Sequence, residues 1–86
     1  MSDSLTPNAP NGVADAVVFI TAVASTLIAQ KWGVRAPVVH KVLSTPEAVA
    51  VTTTRYLLAL GAGQSPAEAA GDVGRSLLAD AEQRAA

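Results

Sequence analysis

The chain has 86 residues and a mass of 8.7 kDa, half of its residues are apolar, it has no cysteine, and its formal net charge is −1. That length holds one domain rather than two, and so thin a core makes a partner subunit an expectation. The missing Cys excludes a disulfide scaffold, a zinc finger and an iron–sulfur site, the single His excludes a multi-histidine metal site, and the near-neutral balance excludes a protein that coats nucleic acid by bulk charge.

Ala and Val together supply 29 of the 86 residues, against one each of Phe, Trp, Tyr and Met. Ala is the best helix former, and no stretch of four to eight residues alternates cleanly between apolar and polar. The expected fold is therefore all-α, a small bundle of four to five helices containing a candidate helix-turn-helix.

Residues 1–12, MSDSLTPNAPNG, read as a flexible N-terminal arm, rich in Pro, Asn and Ser, without the basic start or cleavage pattern of a signal peptide. Residues 13–86 read as a single helical domain. Its first segment, Val13 to Trp32, is the most apolar, and no charge falls between Ala16 and Ala29. A membrane span needs about 20 apolar residues; this uncharged core is shorter, so a buried or subunit-pairing helix is expected in place of a span. Ser25-Thr26 could cap a new helix, which leaves the segment open as one helix or two. Trp32 closes it, as a plug for the core or for an interface.

Two later helix starts are well marked. Thr45-Pro46-Glu47 places a capping residue before Pro at the first helical position, with an acid in the first turn. Ser65-Pro66-Ala67-Glu68 repeats this and adds the spacing of a reciprocal capping box. The first helix is expected to run to about Leu60 and stop at Gly61-Ala62-Gly63. The second is expected to enter the C-terminal tail, loosened by Gly71 and Gly74.

Between Thr26 and Ser44 the chain reads TLIAQKWGVRAPVVHKVLS. A helix-turn-helix needs a small residue inside its first helix, a Gly four residues later for the sharp turn, and then apolar residues on the inner face of the second helix. Ala29, Gly33, Val34, Val39 and Val42 stand at those spacings, and Pro37 fits only near the start of the second helix. A weaker repeat of the pattern occurs at Ala70 to Gly74.

The stretch resembles the headpiece of the lactose-repressor family. The shared scaffold is Ala29, Gly33-Val34, Val39 and Val42-Leu43-Ser44, and the segment VAVTTTRYLLALG looks like that family's third helix, so that the resemblance covers residues 26–61. It implies a DNA-binding protein; with so few cations in the region, a dimer is needed to reach the phosphate contacts of a specific binder, and the apolar N-terminal helix suits a homodimer. The positions that read bases in that family are here Arg35, Ala36, Pro37, Val38 and His40, of which only Arg35 and His40 could address a base edge; Ser44 stands in place of the family's Asn.

Charge follows the same region. Residues 31–55 carry Lys31, Arg35, Lys41 and Arg55 against Glu47, a balance of +3, while residues 1–30 and 56–86 each sum to −2. Lys31, Arg35, His40, Lys41 and Arg55 are thus the candidate contacts to double-stranded DNA. Val17, Phe19, Ile20, Val23 and Leu27 are the candidate oligomer interface. Asp72, Asp80 and Glu82, with Arg75 and Arg84, read as a solvated, salt-bridged face; Asp15 as an acid at a helix start; Tyr56 as a packing residue; and Thr52-Thr53-Thr54 as placing at least one hydroxyl inward.

No phosphate loop, nucleophile–base pair or acidic dyad is present, so the expectation is a non-catalytic protein with no cofactor, metal or small-molecule substrate. The first expectation for function is a small helix-turn-helix DNA-binding regulator. The alternative is a structural or adaptor protein forming a homo-oligomer or a virion-type assembly. The expected location is cytoplasmic, or the virion under the alternative, and membrane association is not favoured.

Overall fold

The structure, a computed structural model, describes residues 12–85. The expectation of a flexible arm falls almost entirely on residues outside that range. The described residues form four helices and no strand: α1 (Val13–Trp32), α2 (Ala36–Leu43), α3 (Pro46–Gly61) and α4 (Pro66–Ala85). The fold is all-α.

α1 is one unbroken helix of 20 residues. Ser25 and Thr26 do not start a second one. Their hydroxyls donate back to the carbonyls of Thr21 (2.7 Å) and Ala22 (3.1 Å), one turn earlier, which satisfies them inside the helix. The helix ends where Gly33 takes the left-handed conformation, φ 67° and ψ 27°. The Val34 N–H then closes onto the Ala29 carbonyl at 3.1 Å, so the last carbonyls of α1 are satisfied by the turn itself. An L side chain at that φ is disfavoured, which is why the pattern needs Gly at this point.

The other helix starts form as the local chemistry dictates. The Thr45 hydroxyl accepts from the Ala48 N–H at 3.3 Å. Ser65 and Glu68 form the reciprocal box: the Glu68 N–H donates to the Ser65 hydroxyl at 3.2 Å, and the Ser65 N–H to the Glu68 carboxylate at 3.1 Å. Gly71 and Gly74 do not break α4, and the weaker repeat of the turn pattern at Ala70 to Gly74 is plain helix.

α1 is the central element and touches each of the other three helices. Ala16, Ile20 and Ala24, spaced four apart and fully buried, form one core with Tyr56 of α3 and with Ala69, Ala70, Val73 and Leu77 of α4. Val13 at the start of α1 and Ala59 and Leu60 at the end of α3 border that core. A second cluster joins Ile28 and Ala29 to Val39 of α2, with Leu78 and Ala81 of α4 against it. α4 therefore runs alongside α1 in the same direction, and α3 runs opposite to both. Thr52 is the inward member of the Thr52-Thr53-Thr54 run, and its hydroxyl donates to the Ala48 carbonyl at 3.0 Å. α1 is also long and apolar enough to cross a membrane by length and composition, with 44% of its most apolar stretch buried within the chain.

A polar clasp closes the α3–α4 turn. The Asp72 carboxylate accepts from the Gln64 side-chain amide at 2.7 Å and from the Arg75 guanidinium. The bond from Gln64, then that from Arg75 and its positive charge, hold the Asp72 carboxyl below its ordinary pKa. A carboxylate whose pKa is lowered by folding stabilises the fold above the unfolded value, here 3.8, and loses that contribution as pH falls through the lowered value. Urea midpoints measured for the native chain and Asp72→Asn should therefore differ near neutrality and converge as the pH drops below 3.8. A gap that stays constant with pH would remove Asp72 from the acid response.

Candidate functional site

α2 has only eight residues, and it leans on α1 while scarcely touching α3. Its inward row is Ala36, Val39 and Leu43, with Val39 buried and the other two partly so. The row one residue earlier is rotated about 100° around the helix axis, as the helical repeat requires, and it faces outward. Val38 and Val42 on that row are 59% and 56% exposed, and Val34 in the preceding turn is 48% exposed. Of the expected inner positions, then, Ala29 and Val39 are buried while Val34 and Val42 are not. Leu43 takes the place next to the core that spacing assigned to Val42.

Because α2 stands off from α3, a groove of about 690 Å³ opens among α2, the end of α1, the start of α3 and the end of α4. Val34, Val38 and Val42 form one wall, Trp32 and Val51 face the space, and Ile28, Leu43 and Leu77 reach it from the core side. Trp32 is thus not a core plug: it is exposed on the groove wall, with the Lys31 ammonium 5.7 Å from its ring centre. Val34, Val38, Val51 and Trp32 as groove residues were not legible from spacing, because an eight-residue helix can turn either of two adjacent apolar rows inward.

The five candidate DNA contacts divide into two groups. Lys31 is paired with Glu82 at 2.7 Å, and Arg55 with Asp80 at 2.8 Å, while the same Arg55 nitrogen donates to the Ser76 hydroxyl at 3.0 Å. Both acids come from α4. The three expected acids are solvated and salt-bridged, but with other partners: Asp80 and Glu82 reach across to α3 and α1, and Asp72 pairs with Arg75 within α4. Half-exposed pairs of this kind are each worth about 0.2–1 kcal/mol, yet they occupy both cations. Arg35, His40 and Lys41 remain exposed, without an ion pair among the described residues. His40 lies one turn from Ser44, whose hydroxyl donates to the His40 carbonyl at 2.7 Å. The structure thus leaves Arg35, at the N-cap of α2, and His40 and Lys41 on α2 exposed, and draws Lys31 and Arg55 toward α4.

The candidate oligomer residues divide as well. Ile20 and Val17 are buried within the chain, Ile20 completely, so they are not available to another subunit. α1 has a wide inward face that needs both. Leu27 is half-buried. Phe19 and Val23 remain on the open side, joined by Val18, which sequence spacing had not singled out. Tyr56 is a packing residue, 3% exposed.

Among the described residues no group of three or more His, Cys, Asp and Glu side chains is placed to hold a metal ion. Compared with known proteins, the chain matches no protein-family model, no curated protein and no solved structure.

Proposed function

We propose that this protein is a non-catalytic all-α module that works by protein–protein contact, and first of all by self-association. The observation that carries this reading is the outer face of α2. Where a DNA-reading helix displays polar side chains, this one displays Val38 and Val42, with Val34 in the turn before it, beside an open groove. Valines cannot satisfy the donors and acceptors of base edges, whereas an apolar groove with a polar rim is suited to take a partner helix. Size-exclusion chromatography with light scattering at tens of micromolar should give a mass above that of one protomer. A strict monomer overturns the proposal.

A second reading, a helix-turn-helix DNA-binding regulator, is favoured by one observation: the order α1, left-handed Gly33, short α2 and α3, with Arg35 exposed at the N-cap of α2 and His40 and Lys41 exposed on it. With Lys31 and Arg55 engaged by acids, Arg35 and Lys41 are the permanent charges left for phosphate. Affinity would then fall only shallowly with salt, since the slope follows the number of phosphates neutralised. Fluorescence anisotropy with duplex DNA from about 50 to 200 mM salt decides between the two: salt-sensitive binding lost in Arg35→Ala supports the second, and no binding at the low end removes it.

A further inference from the structure

Resting on the reading of self-association, we infer that the groove receives the outer face of α1 from a second copy of this chain, in a head-to-tail contact that can propagate. The outer face of α1 carries Asp15, Val18, Phe19, Ala22 and Val23, all exposed, at the three- and four-residue spacings of a single helical stripe. An apolar stripe of this spacing is what a helix offers to a groove.

Charge selects this pairing over the alternatives. Asp15 is the stripe's only ionisable group, and it has no ion pair among the described residues. Among the groove-lining residues Arg84 balances Glu47 and Arg55 pairs with Asp80; the excess of cations comes from Arg35 and Lys41, exposed and next in sequence to the groove residues Val34 and Val42, with no ion pair among the described residues. Groove against groove would bring that excess of cations onto itself. Stripe into groove brings an acid to it.

Nor can the stripe of a chain fill that chain's own groove. Phe19 and Trp32 lie on the same rigid helix, roughly 20 Å apart along its axis at 1.5 Å per residue, so the stripe of one copy must seat in another. Two different patches on one chain make a heterologous contact, which closes into a ring or runs on as a filament.

Mixing variants tests it. Phe19→Asp damages the stripe and keeps the groove, and Val38→Asp does the reverse. Both positions are exposed, so helical circular dichroism and a cooperative melt should persist. Each variant alone should lose assembly by more than about tenfold in affinity. An equimolar mixture should form a dimer and stop there, because one intact stripe meets one intact groove and both outer ends are blocked. If one of them fails to fold, Val18→Asp and Val42→Asp replace the pair. A mixture that stays monomeric, or a single variant that assembles like the native chain, overturns the head-to-tail arrangement while leaving self-association standing. A native chain that is monomeric at tens of micromolar overturns both.

Discussion

Ile20→Ala should cost the fold about 2–5 kcal/mol, the range for truncating a fully buried aliphatic side chain. Ile20 has no exposed surface and sits at the middle of the α1 row, between Ala16 and Ala24. Its α1 neighbours in that row are alanines, and two of its α4 neighbours, Ala69 and Ala70, are as well. Short side chains have no reach with which to fill the space left behind, so the cavity term should be felt almost in full. Native domains have a total stability of about 5–15 kcal/mol, so the variant should give up a large share of it and unfold at a clearly lower denaturant concentration. Chemical denaturation followed by circular dichroism measures this. A loss below about 1 kcal/mol would mean that the core closes up around the gap.

The opposite error in volume should also be costly. Ala24→Leu adds three carbons where the native side chain is completely buried, in the core it shares with Tyr56, Val73 and Leu77. Overfilling a packed core costs typically about 1–3 kcal/mol through forced rotamers and shifted backbones. The small residue is what lets α1 lie close to its neighbours. The expected result is a lower denaturation midpoint with near-native helix content. A Leu that raises the midpoint would show that the core around Ala24 holds unfilled space.

These effects rest on features that differ in how plainly the sequence announces them. The starts of α3 and α4 are legible because a cap is a contact between residues three positions apart: Thr45 with Ala48, Ser65 with Glu68. The turn at Gly33 is legible for the same reason, since one residue must accept a positive φ. The orientation of α2 is not local. Val38-Val39 and Val42-Leu43 offer two apolar rows side by side, and only packing on α1 decides that Val39 and Leu43 go inward. The fate of the cations is less local still. Nothing near Arg55 or Lys31 in the chain reveals Asp80 or Glu82, which arrive only when α4 folds back alongside α1. The middle third of the sequence is strongly positive as a string of letters, and much of that charge is neutralised once the helices pack.

α1 is apolar on both of its sides. Val17, Ile20 and Ile28 point inward while Val18, Phe19 and Val23 point outward, and water distinguishes the two sets only weakly. What stops the helix from rolling about its own axis is size: an alanine fits at positions 16 and 24, and a rotation of about 100° would bring bulkier side chains to the same gaps. The lock on this fold is thus one of bulk, cut to the width of a methyl group, and it would slip most readily where one of these alanines is made larger.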